Sequence, residues 1–144
     1  MRITAVIVAL LAGAGCSGID RPWTDAAGTE LDSSLVRSVQ APAEHCGWDS
    51  AIFLFLGRSG PVPGVPDAMR DQYVRDPEGL FPDLLADRYS SVVELPEDAE
   101  FTGLSNGTYR VWIAPSVADA VFVESGDAFE RWPRVAGDIQ IVCV

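Results

Sequence analysis

The chain has 144 residues, and setting aside an apolar opening stretch leaves about 110 for ordered structure, enough to bury one core and not two. All ten cations are arginines, set against 21 acids for a net charge of −11. Nucleic acid is therefore excluded as a partner for want of clustered cations, an anionic membrane surface repels the chain, and 48% hydrophobic residues exclude wholesale disorder.

Met1 and Arg2 precede an uncharged apolar run over residues 3–14, which ends in the small residues Ala12-Gly13-Ala14-Gly15 before Cys16. This is the layout of a secretory signal, predicted over residues 1–15, and it is shorter than the roughly 20 residues that cross hydrocarbon. Two cleavage readings stand. Ala12-Gly13-Ala14 suits ordinary secretion, whereas the small residues running into Cys16 resemble a bacterial lipoprotein signal, although Gly13 stands where leucine is more usual. Cysteine parity favours the second. Cys16, Cys46 and Cys143 leave one thiol over, and lipidation of Cys16 would account for it. The expected location is the outer face of the cell membrane, reached through a lipid anchor on Cys16, with secretion as the alternative.

Residues 17–34 are rich in Gly, Ser, Asp, Ala and Thr around one aromatic, Trp23, and show no period. They read as a flexible tether with a reach of roughly 25 Å, with docking of Trp23 on the domain as the alternative. A single β-rich domain is predicted over residues 35–144. Its clearest element runs from Cys46 to Leu56, with Cys46, Trp48, Ser50, Ile52, Leu54 and Leu56 on one face; the half from Ala51 onward is apolar on both faces, as a covered central strand would be. Gly57 and the Gly/Pro cluster at residues 60–66 end it in a long irregular loop or an edge crossing. Proline near the start of residues 66–72 and 82–88 predicts one or two helical turns.

Asn106-Gly107 predicts a tight turn before a strand that carries Tyr109, Val111 and Ile113 on one face and Thr108, Arg110 and Trp112 on the other. Strands over residues 118–124, 129–132 and 138–144 complete a meander, with Ser125-Gly126-Asp127 as a turn and Pro133 as a break. The predicted fold is mainly β, an antiparallel single-domain sandwich or partly open barrel. Cys46 and Cys143 both fall on core-facing positions and are expected to be bonded, which would stabilise so small a domain by about 4–5 kcal/mol on loop-closure entropy. Trp48 would pack on the bridge.

The order of His45-Cys46-Gly47-Trp48, Tyr73-Val74-Arg75-Asp76-Pro77-Glu78-Gly79, Leu95-Pro96-Glu97-Asp98-Ala99, Thr102-Gly103, Val111-Trp112-Ile113 and Glu130-Arg131-Trp132-Pro133-Arg134 resembles a family of small, exported, uncharacterised actinobacterial lipoproteins. The likeness covers residues 45–143. It implies an extracytoplasmic, lipid-anchored domain with a Cys46–Cys143 bridge, and it implies no activity.

Catalytic signatures are thin. His45 is the only histidine; Glu44 and Asp49 could orient it, but no nucleophile motif accompanies it. Gly57-Arg58-Ser59-Gly60 lacks the spacing of a serine-hydrolase elbow. The acids at Glu94, Glu97, Asp98 and Glu100 read as a solvated turn, lacking the alternating ligands of a calcium loop. Zinc spacings and a phosphate loop are absent, so neither metal nor cofactor is expected. Two arginine groups stand out. Around Arg75-Asp76-Pro77 and residues 130–134, Arg75 or Arg131 is expected to clamp a loop to Asp76, Glu130 or another acid. The sharper alternative groups Trp112, Arg131, Trp132 and Arg134 as a recognition patch, with Trp112 and Trp132 as cross-strand neighbours. The sequence reads as a non-catalytic, envelope-tethered module that binds or stabilises an envelope protein or polysaccharide. The alternative is an extracytoplasmic hydrolase acting on cell-wall or extracellular material through carboxylates or His45.

Overall fold

The structure, a computed structural model, describes residues 21–40 and 50–136. The expected signal, Cys16, His45, Cys46, Trp48, the strand over residues 138–144 and Cys143 lie outside the described residues. Eight strands occur within them: β1 (Val36–Gln40), β2 (Ile52–Leu56), β3 (Gln72–Arg75), β4 (Ser90–Val92), β5 (Glu100–Ser105), β6 (Arg110–Ile113), β7 (Ala120–Ser125) and β8 (Ala128–Pro133). They form two antiparallel sheets, ordered β1-β2-β3 and β4-β8-β7-β6-β5, and the sheets face each other as a small sandwich.

Strand β2 is buried along its whole length, as its two-sided apolar sequence requires. Period two divides it. Ile52, Leu54 and Leu56 turn inward with Val36 and Tyr73 against Leu104, Val111, Ile113, Val121, Val123 and Trp132 of the larger sheet. Ala51, Phe53 and Phe55 turn outward into a second cluster with Val74, Phe81 and Val135. That outer cluster is capped by a loop. Asp76 is buried because its carboxylate accepts the backbone N–H groups of Leu80 (2.8 Å) and Phe81 (3.0 Å), which holds the Phe81 ring edge-on to Phe53 at 5.6 Å between centroids.

Both open sides of the sandwich are closed by irregular chain. On one side Trp23, 3% exposed, enters the main core, and Thr24 exchanges backbone hydrogen bonds with Ser105 at the outer edge of β5 (2.7 and 3.1 Å). The part of the expected tether from Arg21 onward is therefore folded against the domain. Its partner strand explains why. A bulge interrupts β5 between Phe101 and Ser105, and there Gly103 has φ +86 and lets Ala26 approach so closely that a Cβ would stand 2.7 Å from the Ala26 methyl. On the other side the chain runs past Pro133 to the smaller sheet. Arg134 bridges Tyr73, and the Val135 N–H donates to the Gln72 carbonyl at 2.8 Å.

Two local expectations change. Of the helical turns over residues 66–72 and 82–88, only a 3-10 turn at Asp67–Met69 forms. Tyr73 of the strand that follows is fully buried, so core burial claims this segment. Residues 84–86 hydrogen-bond instead with residues 134–136: Ala86 N–H to Arg134 O and Ala136 N–H to Leu84 O, 2.8 and 2.7 Å. The turn expected at Asn106-Gly107 is tight but sits one residue later, with Gly107 and Thr108 at its corner, because the Asn106 N–H donates to the Tyr109 carbonyl at 3.1 Å. The Asn106 side chain organises it, accepting from Thr108 (3.0 Å) and Tyr109 (2.7 Å).

Candidate functional site

The recognition patch expected from Trp112, Arg131, Trp132 and Arg134 does not assemble. Trp132 pairs with Val121 across β7 and β8 and lies in the main core at 1% exposure, with Tyr109 edge-on at 5.6 Å. Trp112 pairs with Phe122 and points to the opposite face, so the two tryptophans are not cross-strand neighbours. The reason is elementary: successive strand residues alternate faces, and Arg131 and Trp132 cannot share one. Arg131 does share the face of Trp112, since both stand opposite Phe122, but its guanidinium is taken by Asp87. Arg134 lies beyond β8 and pairs with Asp119 at 2.8 Å and Asp71 at 3.5 Å. The Asp119 hydrogen bond is the main reason its pKa is raised.

What the outer face of the larger sheet presents is an aromatic row from three strands. The Phe101 and Trp112 rings stand 5.4 Å apart with a 43° tilt, and Trp112 and Phe129 stand 6.1 Å apart edge to face, both within the range of favourable ring pairs. Phe122 lies buried beneath them at the centre of the sheet. The row is fixed by one carboxylate. Glu124 accepts the Trp112 indole N–H through Oε2 at 2.9 Å and Arg110 Nη1 through Oε1 at 3.3 Å, while the Arg110 guanidinium lies 4.3 Å from the Phe101 centroid. Phe101 is 37% exposed. Arg110 and Trp112 were legible in the sequence as one face of a strand. Phe101 was not, because Phe101-Thr102-Gly103 offers no apolar alternation by which to recognise β5.

The clamp forms, with Glu130 as its acid. Arg75 of β3 donates through Nε to both Glu130 oxygens (2.7 and 2.8 Å) and through Nη1 to the Ser50 carbonyl (3.1 Å). Tyr89 donates its hydroxyl to Glu130 Oε1 at 3.0 Å. Burial works against the Arg75 charge, yet the hydrogen bonds and charge of Glu130 outweigh it and raise the Arg75 pKa. Burial, then the bond to Glu130, raises that of Tyr89. Beside this clamp opens a cleft of about 460 Å³, lined by Asp76, Leu85, Asp87, Arg88 and Tyr89 among others.

The cleft's acids are already engaged. Asp76 caps its loop, and Asp87 accepts from Arg131 and from the Arg88 backbone N–H. Each carboxylate thus has a structural task in holding loops to strands. Among the described residues no group of three or more histidines, cysteines or acids is placed to hold a metal ion. Chemically, the outer face of the larger sheet offers stacking and van der Waals contact from immobilised rings, flanked by the Arg110–Glu124 and Arg131–Asp87 pairs. No family, no curated protein and no solved structure matches this chain.

Proposed function

We propose that this protein is an exported, lipid-anchored module of the cell envelope that binds an envelope protein or polysaccharide through the outer face of its larger sheet, without turning its partner over. The observation that carries the reading is the Phe101–Trp112–Phe129 row, tied down by Glu124 and Arg110. Rings and an arginine whose rotamers are already fixed lose little entropy on binding, and Trp and Arg are the residues that dominate binding energy at protein surfaces. The anchor rests on the run from Met1 to Cys16, and the extracytoplasmic location on that run together with the spare-thiol arithmetic of Cys46 and Cys143.

Co-sedimentation with envelope fractions from the natural host tests the binding surface. The Cys16→Ser chain, which has no lipid anchor, should pellet saturably, and adding Trp112→Ala to it should lose most of that binding while keeping a cooperative melt; equal pelleting of the folded double variant refutes the assignment. The anchor is tested separately. Cys16→Ser should move the protein from the membrane fraction to the medium, and unchanged membrane retention refutes lipidation at Cys16.

A further inference from the structure

We propose that Arg37 and Arg58 form a phosphate-binding site on the outer side of the smaller sheet. Both guanidiniums lie over one ring, their carbons 4.5 Å and 4.8 Å from the Phe55 centroid. Acids outnumber arginines 21 to 10 in this chain, and Arg70, Arg75, Arg110, Arg131 and Arg134 all have carboxylate partners. Arg37 and Arg58 are exposed and have none among the described residues. Two like charges are thus held beside one ring, roughly 9 Å apart at most, within about a Debye length of each other.

The backbone under both arginines is pinned. Arg37 stands opposite Phe55 in the β1–β2 ladder, and Phe55 itself is buried in the outer cluster. Arg58 follows Gly57, whose N–H donates to the Leu35 carbonyl at 2.7 Å. Gly57 has φ +73, and its Cα packs so closely on Arg70 that a Cβ would come within 2.8 Å of it. A guanidinium stacked on a ring uses its π face and leaves its in-plane N–H donors free for an oxyanion. One anion reached by both guanidiniums would relieve their repulsion and accept from both forks. A planar carboxylate aligns with one fork at a time, whereas the tetrahedral oxygens of a phosphate serve two forks in different planes. The ligand class is therefore a phosphate group, either free or in a phospholipid headgroup.

Titration with inorganic phosphate at constant ionic strength, followed by NMR of the arginine Nε–H groups, should give saturable shifts at Arg37 and Arg58 together. Chloride should give none, and acetate should be weaker. Arg37→Gln and Arg58→Gln should each weaken the response about tenfold with unchanged melting, and the double variant should abolish it. Sedimentation of the Cys16→Ser chain with phosphatidylglycerol or phosphatidylcholine vesicles separates the sources. Retention on either that the double variant loses assigns the headgroup, and a response to inorganic phosphate alone assigns free phosphate. Absence of saturable shifts at these arginines, persistence of the response in a folded double variant, or acetate matching phosphate would each overturn the proposal.

Discussion

Removing Glu130 should cost this fold more than removing any other ion-pair acid in the described structure. Its carboxylate receives Arg75 through two hydrogen bonds and Tyr89 through a third, and it joins β8 of the larger sheet to β3 of the smaller. Side-chain exposures are 15% for Glu130 and 28% for Arg75, so most of the water that would replace the lost contacts is excluded. Breaking a fully buried pair costs about 3–5 kcal/mol. Arg75 keeps some solvent and its bond to Ser50 O, which lowers the expectation for Glu130→Ala to about 3 kcal/mol, or roughly 10 °C in Tm for a domain of this size. The assay is urea unfolding of a double-mutant cycle: Arg75→Leu, Glu130→Leu and both together. Each single variant should be strongly destabilised, and the double should recover about 2 kcal/mol as coupling because two apolar side chains leave no stranded charge. The exposed Arg110–Glu124 pair, with Arg110 at 46% side-chain exposure, provides the contrast and should couple by about 0.5 kcal/mol or less. Equal coupling in the two cycles would refute the claim that Arg75 and Glu130 clasp the sheets.

Three further outcomes follow from packing and protonation. All three tyrosines have raised pKa values, with burial the largest cause for each; the unfolded chain ionises near pH 10, so their contribution to stability is complete below that pH and is lost as pH rises through the folded values. Phenolate absorbance at 295 nm should therefore rise at higher pH than in free tyrosine, with Tyr73 ionising only when the fold gives way, and full ionisation at pH 10 with intact circular dichroism would contradict their burial. Gly64→Ala should destabilise by about 3 kcal/mol or more in urea unfolding, because φ is +78 and a Cβ would stand 2.0 Å from the Thr102 carbonyl oxygen; Gly126→Ala, with φ +60 and open space around it, should cost about 1 kcal/mol, and similar losses would refute the close crossing at Gly64. Trp23→Ala should cost about 3–5 kcal/mol and open residues 21–31 to proteolysis, whereas wild-type stability in that variant would restore the flexible tether.

How far the sequence carried the fold depended on whether a segment's pattern matched its final neighbours. β2 was legible because it is covered on both faces, and β7 and β8 because a turn at Ser125-Gly126-Asp127 separates two β-rich runs. β5 was hidden by Gly103, which carries no side chain to mark a face, and by Thr102, a polar residue buried beside Leu104. β3 was hidden by Pro66 and Asp67, which announce a helix that ends after three residues. Trp23 looked like an isolated aromatic because its partners, Val36 and Leu104 among them, lie far along the chain. The clamp was legible as a chemical pairing, and only the tertiary fold could choose Glu130 over Asp76. The aromatic row required the register of three strands, which composition does not contain.

Hydroxyl-radical footprinting of the wild-type protein, free and bound to envelope material, reads the proposed surface residue by residue. Oxidation of Phe101, Trp112 and Phe129 should fall on binding, while Trp132, enclosed in the core, stays protected throughout. Bound protein in which Phe101 and Trp112 are oxidised as readily as in the free state would contradict the assignment of this face.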